Sequence, residues 1–143
     1  MRVSRQVVRH ESTPRHRLVI ADDSADMRSL VRFAVGADFT DIIEAADGRE
    51  LFWTLLRSSF YDDHASGDHL VVITDLCMPA YDGLDVLDAC EDLHPRLRVA
   101  MILMTAYPNE AVRARASALG VTLLPKPFST SALRSALREV AHG

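Results

Sequence analysis

Residues 70–75 read LVVITD, five uncharged and mostly β-branched residues closed by an aspartate. A strand with one wet face alternates apolar and polar side chains, and this run does not alternate. It predicts a strand covered on both faces, and such a sheet needs helices on either side. The rest of the chain supplies matching parts. RLVIA (17–21), TDIIEA (40–45), VAMILMT (99–105) and VTLL (121–124) are further strand-like runs. Between them the spacing turns helical. Met27, Leu30, Val31 and Ala34 recur at i, i+3, i+4 and i+7, with Ser24 as N-cap and Gly36 near the end. After an Asp47-Gly48 turn, RELFWTLLRS (49–58) directs Leu51, Phe52, Leu55 and Leu56 inward. GLDVLDACEDL (83–93) stops before Pro95, and NEAVRARASALG (109–120) closes on Gly120 as its C′ residue. In STSALRSALREVAH (129–142), Ala132, Leu133, Ala136, Leu137 and Val140 face the core. Five strands alternating with five helices, joined by right-handed crossovers, predict a doubly wound α/β fold on a five-stranded parallel sheet.

At 143 residues this is one domain with room for a core. The body is expected at 17–142, after an N-terminal extension at 1–16. No apolar run reaches the ~18 residues of a membrane span, and no signal-peptide pattern opens the chain. Cys77 and Cys90 form neither a disulfide framework nor metal-type spacing, which with the other features predicts a reducing, cytoplasmic setting. The net charge of −4 is uneven: residues 1–17 carry five arginines against the single acid Glu11. The remainder is acidic, which argues against nucleic-acid binding by the body. The basic arm reads as a solvated extension, with an acidic partner, a phosphate backbone or a membrane surface as alternatives.

In a doubly wound sheet, ligands sit beyond the carboxyl ends of the strands. Asp22 and Asp23 follow the first strand, Asp75 ends the third, Thr105 ends the fourth and Lys126 follows the fifth. Three carboxylates brought together repel and take up protons unless a cation offsets them. Magnesium suits such a set, because it takes hard oxygen ligands and is often held by one or two carboxylates plus a phosphate. Asp22-Asp23 alone would be read as acids favourable to a helix N-terminus; Asp75 at a neighbouring strand end tips the reading toward a metal. Asp75 is a candidate nucleophile toward phosphorus, and a transferring phosphoryl group needs cations aimed at its oxygens. Lys126 is the only lysine in a chain of fifteen arginines and stands between Pro125 and Pro127. A compact ammonium fits a small phosphoryl site where a planar guanidinium would crowd it. The Thr105 hydroxyl can donate to a phosphoryl oxygen.

These residues resemble the receiver domain of bacterial two-component response regulators. The resemblance lies in IADDS (20–24), ITDLCMPAYDGLDVL (73–87), MTAYP (104–108) and LPKPF (124–128), in that order, and covers residues 17–142. It implies a flavodoxin-like (βα)5 receiver fold with Asp75 as phosphoacceptor and Thr105 and Lys126 on the phosphoryl group. It implies Mg2+ organised by Asp22 and Asp23 and held by Asp23, Asp75 and the backbone carbonyl of Cys77. It implies a cis Lys126–Pro127 bond. It implies a sensor histidine kinase or histidine phosphotransfer protein as donor. The output would be read by a downstream protein, or by an output domain not visible in this chain, on the fourth helix, fifth strand and fifth helix. No direct nucleic-acid or membrane binding is implied.

Three features depart from that family pattern. Leu123 stands where the family usually has an aromatic switch residue, the segment 57–69 is long, and the arginine-bearing arm is additional. Two alternatives follow. Leu123 favours a pseudo-receiver, an interaction module independent of phosphorylation. A magnesium-dependent phosphatase or phosphotransferase with an aspartyl-phosphate intermediate would want a second acid close after the nucleophile, where Leu76 and Cys77 stand.

Overall fold

The computed structural model describes residues 17–61, 70–93, 95 and 98–142. The extension expected at 1–16 and residues 62–69 of the long connection lie outside them. Five strands form one parallel sheet: β1 Arg17–Ala21, β2 Asp41–Ala45, β3 Leu70–Asp75, β4 Val99–Thr105 and β5 Thr122–Pro125. Five α-helices alternate with them: α1 Ala25–Val35, α2 Gly48–Tyr61, α3 Gly83–Leu93, α4 Glu110–Leu119 and α5 Thr130–His142. A 3-10 turn at Gly36–Asp38 follows α1. The strand order is β2-β1-β3-β4-β5. Chain order therefore reverses direction between β1 and β3, which is where a doubly wound sheet opens its crevice.

Alternate residues of each strand feed two separate cores. Leu18, Ile20, Val71, Ile73, Ile102 and Met104 pack under α1 and α5, against Val31, Ala34, Leu133 and Leu137. Val19, Ala21, Val72, Met101 and Leu103 pack under α2, α3 and α4, against Leu51, Leu55, Leu84, Leu87 and Ala116. β3 is buried along its whole length, as its unbroken apolar run predicts. Cys90 and Met101 are core residues.

Three expectations are corrected. On α1 the buried face is Val31, Ala34 and Val35, with Met27 partly buried, while Leu30 is 43% exposed. Leu30 and Val31 differ by a full 100° of helix rotation, and the stripe is centred on Val31. Asp47-Gly48 is a helix start rather than a free turn. The Asp47 carboxylate accepts from the Glu50 backbone N–H at 2.8 Å, and Glu50 reaches back to the Ala46 N–H at 2.7 Å. Finally, α2 runs through Tyr61, three residues beyond the helix expected at 49–58, so the start of the long 57–69 segment is helical. Gly120 behaves as expected. At φ 71 it closes α4, with Val121 N–H on Ala116 O at 2.8 Å and Gly120 N–H on Ser117 O at 3.2 Å.

Candidate functional site

The connection from β3 to α3 is shaped by sterics. Tyr81 N–H donates to Pro79 O at 3.0 Å around Ala80, whose φ of 78 is rare for a residue with a Cβ. The start of α2 braces this turn: Gly48 N–H donates to Pro79 O at 3.1 Å. A Cβ on Gly48 would fall 2.2 Å from Tyr81 O, so only glycine lets the two loops meet this closely. α3 begins on Asp82, which accepts from the Asp85 N–H at 2.7 Å. Arg115 of α4 ties down that helix start through Asp82 at 3.3 Å and Asp85 at 2.9 Å.

Beside this loop, at the β1/β3 reversal, lies an open cleft of about 380 Å³. Asp22, Asp23, Ser24, Asp75 and Lys126 line it, together with Asp26, Met27 and Leu30 of α1. Asp22 is buried to 1% exposure. Its Oδ1 accepts from the Ser24 N–H at 2.9 Å, and its carbonyl accepts from Arg28 at 2.7 Å. Its other oxygen, Oδ2, is buried without a hydrogen-bond partner, with Lys126 Nζ at 3.6 Å. Lys126 Nζ donates to Asp75 Oδ1 at 3.2 Å. Burial holds the Asp75 carboxyl above the usual carboxylate range, Asp22 adds to this, and Lys126 opposes it.

One oxygen each of Asp22, Asp23 and Asp75 lies within 4.8 Å of the others. Three hard oxygen donors around one point, one of them buried and unpartnered, fit a hard divalent cation such as magnesium. The cleft thus gathers four of the expected site residues. Thr105 sits at the end of β4, buried, one strand away from β3 and outside the cleft lining. Its Oγ1 accepts from the Tyr107 N–H at 3.1 Å, and its carbonyl accepts from the Lys126 N–H at 2.8 Å, so it helps hold the lysine's backbone. Cys77 is exposed in the loop leaving β3. The Lys126–Pro127 bond is cis. Leu123 is partly buried against the α2–α4 core, and Tyr107 is 80% exposed. Asp26, Met27 and Leu30 were not among the expected site residues; the acid reads as a helix-start residue and the other two as core.

A family model described as the response regulator receiver domain matches residues 18–138. The chain belongs to the response regulator receiver domain family. This receiver domain is 30% identical over 127 residues to a probable transcriptional regulator, ycf27, of Porphyridium aerugineum, covering 88% of this chain and 48% of that protein. It is 29% identical over 126 residues to a probable chemotaxis protein CheY of Rhizobium etli, covering 87% of this chain and 91% of that one. It therefore spans about half of the transcriptional regulator and nearly all of the chemotaxis protein. In fold it matches the CheX–CheY–BeF3–Mg2+ complex of Borrelia burgdorferi, with TM-score 0.75, 92% of this chain and 93% of that chain covered, and 20% identity. Receiver domains are signalling domains of two-component systems. Among the described residues, no helix is long and apolar enough to cross a membrane.

Proposed function

We propose that this receiver domain accepts a phosphoryl group on Asp75 from the phosphohistidine of a sensor histidine kinase or phosphotransfer protein. The single observation that carries the proposal is the convergence of Asp22, Asp23, Asp75 and Lys126 on one cleft at the sheet's reversal point. A carboxylate oxygen of Asp75 attacks phosphorus, the phosphorus–nitrogen bond of the donor breaks, and the imidazole leaves with the bonding electrons. Lys126, already 3.2 Å from Asp75, supplies a compact positive charge to the phosphoryl oxygens. The Thr105 hydroxyl donates to one of them. Magnesium, held by Asp23, Asp75 and the Cys77 carbonyl with Asp22 organising the set, would neutralise the carboxylates and the arriving phosphoryl charge. Exposed Leu30 and Phe33 on α1 give the donor protein an apolar surface beside the cleft. The domain is cytoplasmic, occupies residues 17–142, touches neither membrane nor nucleic acid, and has no turnover beyond gaining and losing its own phosphoryl group. Phosphorylation shifts the balance of conformations read on α4, β5 and α5 by a downstream protein or an output domain.

Intact mass after incubation with magnesium and acetyl phosphate tests this. One phosphoryl group is expected on wild type and none on Asp75→Ala; no gain on wild type, with no response to beryllofluoride, would sink it. A second reading, a phosphorylation-independent interaction module, is favoured by Leu123, which leaves the usual aromatic switch position aliphatic and partly buried. Wild-type gain with no change in partner binding would select it.

A further inference from the structure

We infer that Asp26 is a specificity-determining residue of the cleft, which disfavours small dianionic phosphodonors relative to less charged ones. The inference rests on Asp75 being the phosphoacceptor. Four carboxylates line the cleft: Asp22, Asp23, Asp26 and Asp75. Lys126 is the only basic residue among the lining side chains. A divalent cation on the Asp22, Asp23 and Asp75 cluster, together with Lys126, offsets three of the four negative charges. Asp26 stands outside that cluster and adds a fourth carboxylate to the lining. Among the described residues no basic side chain pairs with it. The nearest arginine in sequence, Arg28, is committed to Glu44 at 2.8 Å and to the Asp22 carbonyl at 2.7 Å.

The placement is what gives the charge its effect. Asp26 lies in the first turn of α1, exposed to solvent and part of the cleft lining. With the floor charges offset by the cation and Lys126, Asp26 is the carboxylate of the lining left to repel an anion. A free dianion approaching from solvent is repelled by the Asp26 carboxylate. A phosphohistidine on a docked protein is held in place by other contacts and is less sensitive to one such charge.

The bland role for Asp26 is a favourable acid at a helix N-terminus, worth ~0.3–1 kcal/mol of stability and indifferent to the donor. Donor charge and salt separate the two. Initial rates of phosphorylation are measured on the full chain with magnesium, by intact mass, for wild type and Asp26→Asn. The donors are doubly charged acetyl phosphate and singly charged phosphoramidate. In each, an Asp75 oxygen bonds to phosphorus as the donor's P–O or P–N bond breaks; acetate leaves from the first, and ammonia, protonated by solvent, from the second. Asp26→Asn is expected to raise the acetyl phosphate rate roughly three- to ten-fold at low salt. It should raise the phosphoramidate rate by a smaller factor, and the gain should shrink at high salt. Equal gain with both donors, no gain, or a salt-independent gain would overturn the inference. A thermal melt run alongside separates a rate lost through unfolding, which also counts against it. If wild type gains no phosphoryl group from either donor, the phosphoacceptor reading falls and takes this one with it; phosphorylation with an unchanged donor ratio removes this one alone.

Discussion

Asp75 illustrates how much one side chain owes to its neighbours. Its carboxyl is held above the usual range first by burial and then by Asp22. A carboxyl with a raised folded-state pKa stabilises the fold fully below the unfolded value, about 3.9, and loses that contribution as pH rises through the folded value. In metal-free protein the charged form of Asp75 is therefore a burden. Asp75→Asn should raise the melting temperature in chelator by a few degrees, at roughly 2–8 °C per kcal/mol for domains near this size. The difference should close on acidification below the unfolded pKa; melts across pH check both parts, and a variant less stable at neutral pH would contradict them. The two thiols offer a second contrast. Burial pushes the Cys90 thiol up to about 11, whereas Cys77 is exposed. A maleimide should modify one thiol per native chain, at Cys77, and the second only on unfolding. At this scale Asp22, Asp23, Asp75 and Lys126 were legible as charges placed where strands end. Asp26 was not, because an acid after a helix cap has a sufficient local explanation.

At the scale of elements, the joints carry more information than the strands and helices they connect. Gly48 and Gly120 both resist a Cβ, for different reasons. A Cβ on Gly120 meets nothing within 4 Å, so Gly120→Ala is expected to cost only the left-handed backbone penalty, ~1–2 kcal/mol, leaving phosphorylation intact. A Cβ on Gly48 collides with the Tyr81 backbone, so Gly48→Ala should displace the β3–α3 loop. Denaturant melts and Asp75 labelling are expected to fall together for Gly48→Ala and to separate for Gly120→Ala. Gly120 could be read from its place after a helical repeat. The demand on Gly48 could not, since it comes from a loop more than thirty residues away in the chain. Leu30 shows the same limit: apolar spacing marks a helix well, but which edge of its stripe reaches the core depends on how the helix is rotated against the sheet.

At the scale of the whole molecule, the described residues form one sheet between two cores, and that division is testable. Ile73 belongs to the core under α1 and α5, and Leu103 to the core under α2, α3 and α4. Each truncated to alanine should cost about 2–5 kcal/mol. With the sheet between them their effects should add to within ~0.5 kcal/mol; a larger coupling in a double-mutant cycle would mean the sheet transmits strain between its faces. Magnesium should stabilise the fold by ~2.7 kcal/mol at a hundredfold excess over its Kd, with the gain lost in Asp22→Ala. Strand period, helix period and their alternation are local properties, so the sequence by itself determined the α/β class, the five strands and the rank of residues at their ends. Partnership across the sheet is not local. Lys126 and Asp75 are 51 residues apart, and they meet because only β4 separates β5 from β3 in the sheet. Only the tertiary structure decided that Asp22 keeps a buried unpartnered oxygen, that Asp26 joins the cleft lining and that Gly48 abuts Tyr81. Each depends on where two distant segments come to rest against each other, which no spacing along the chain records.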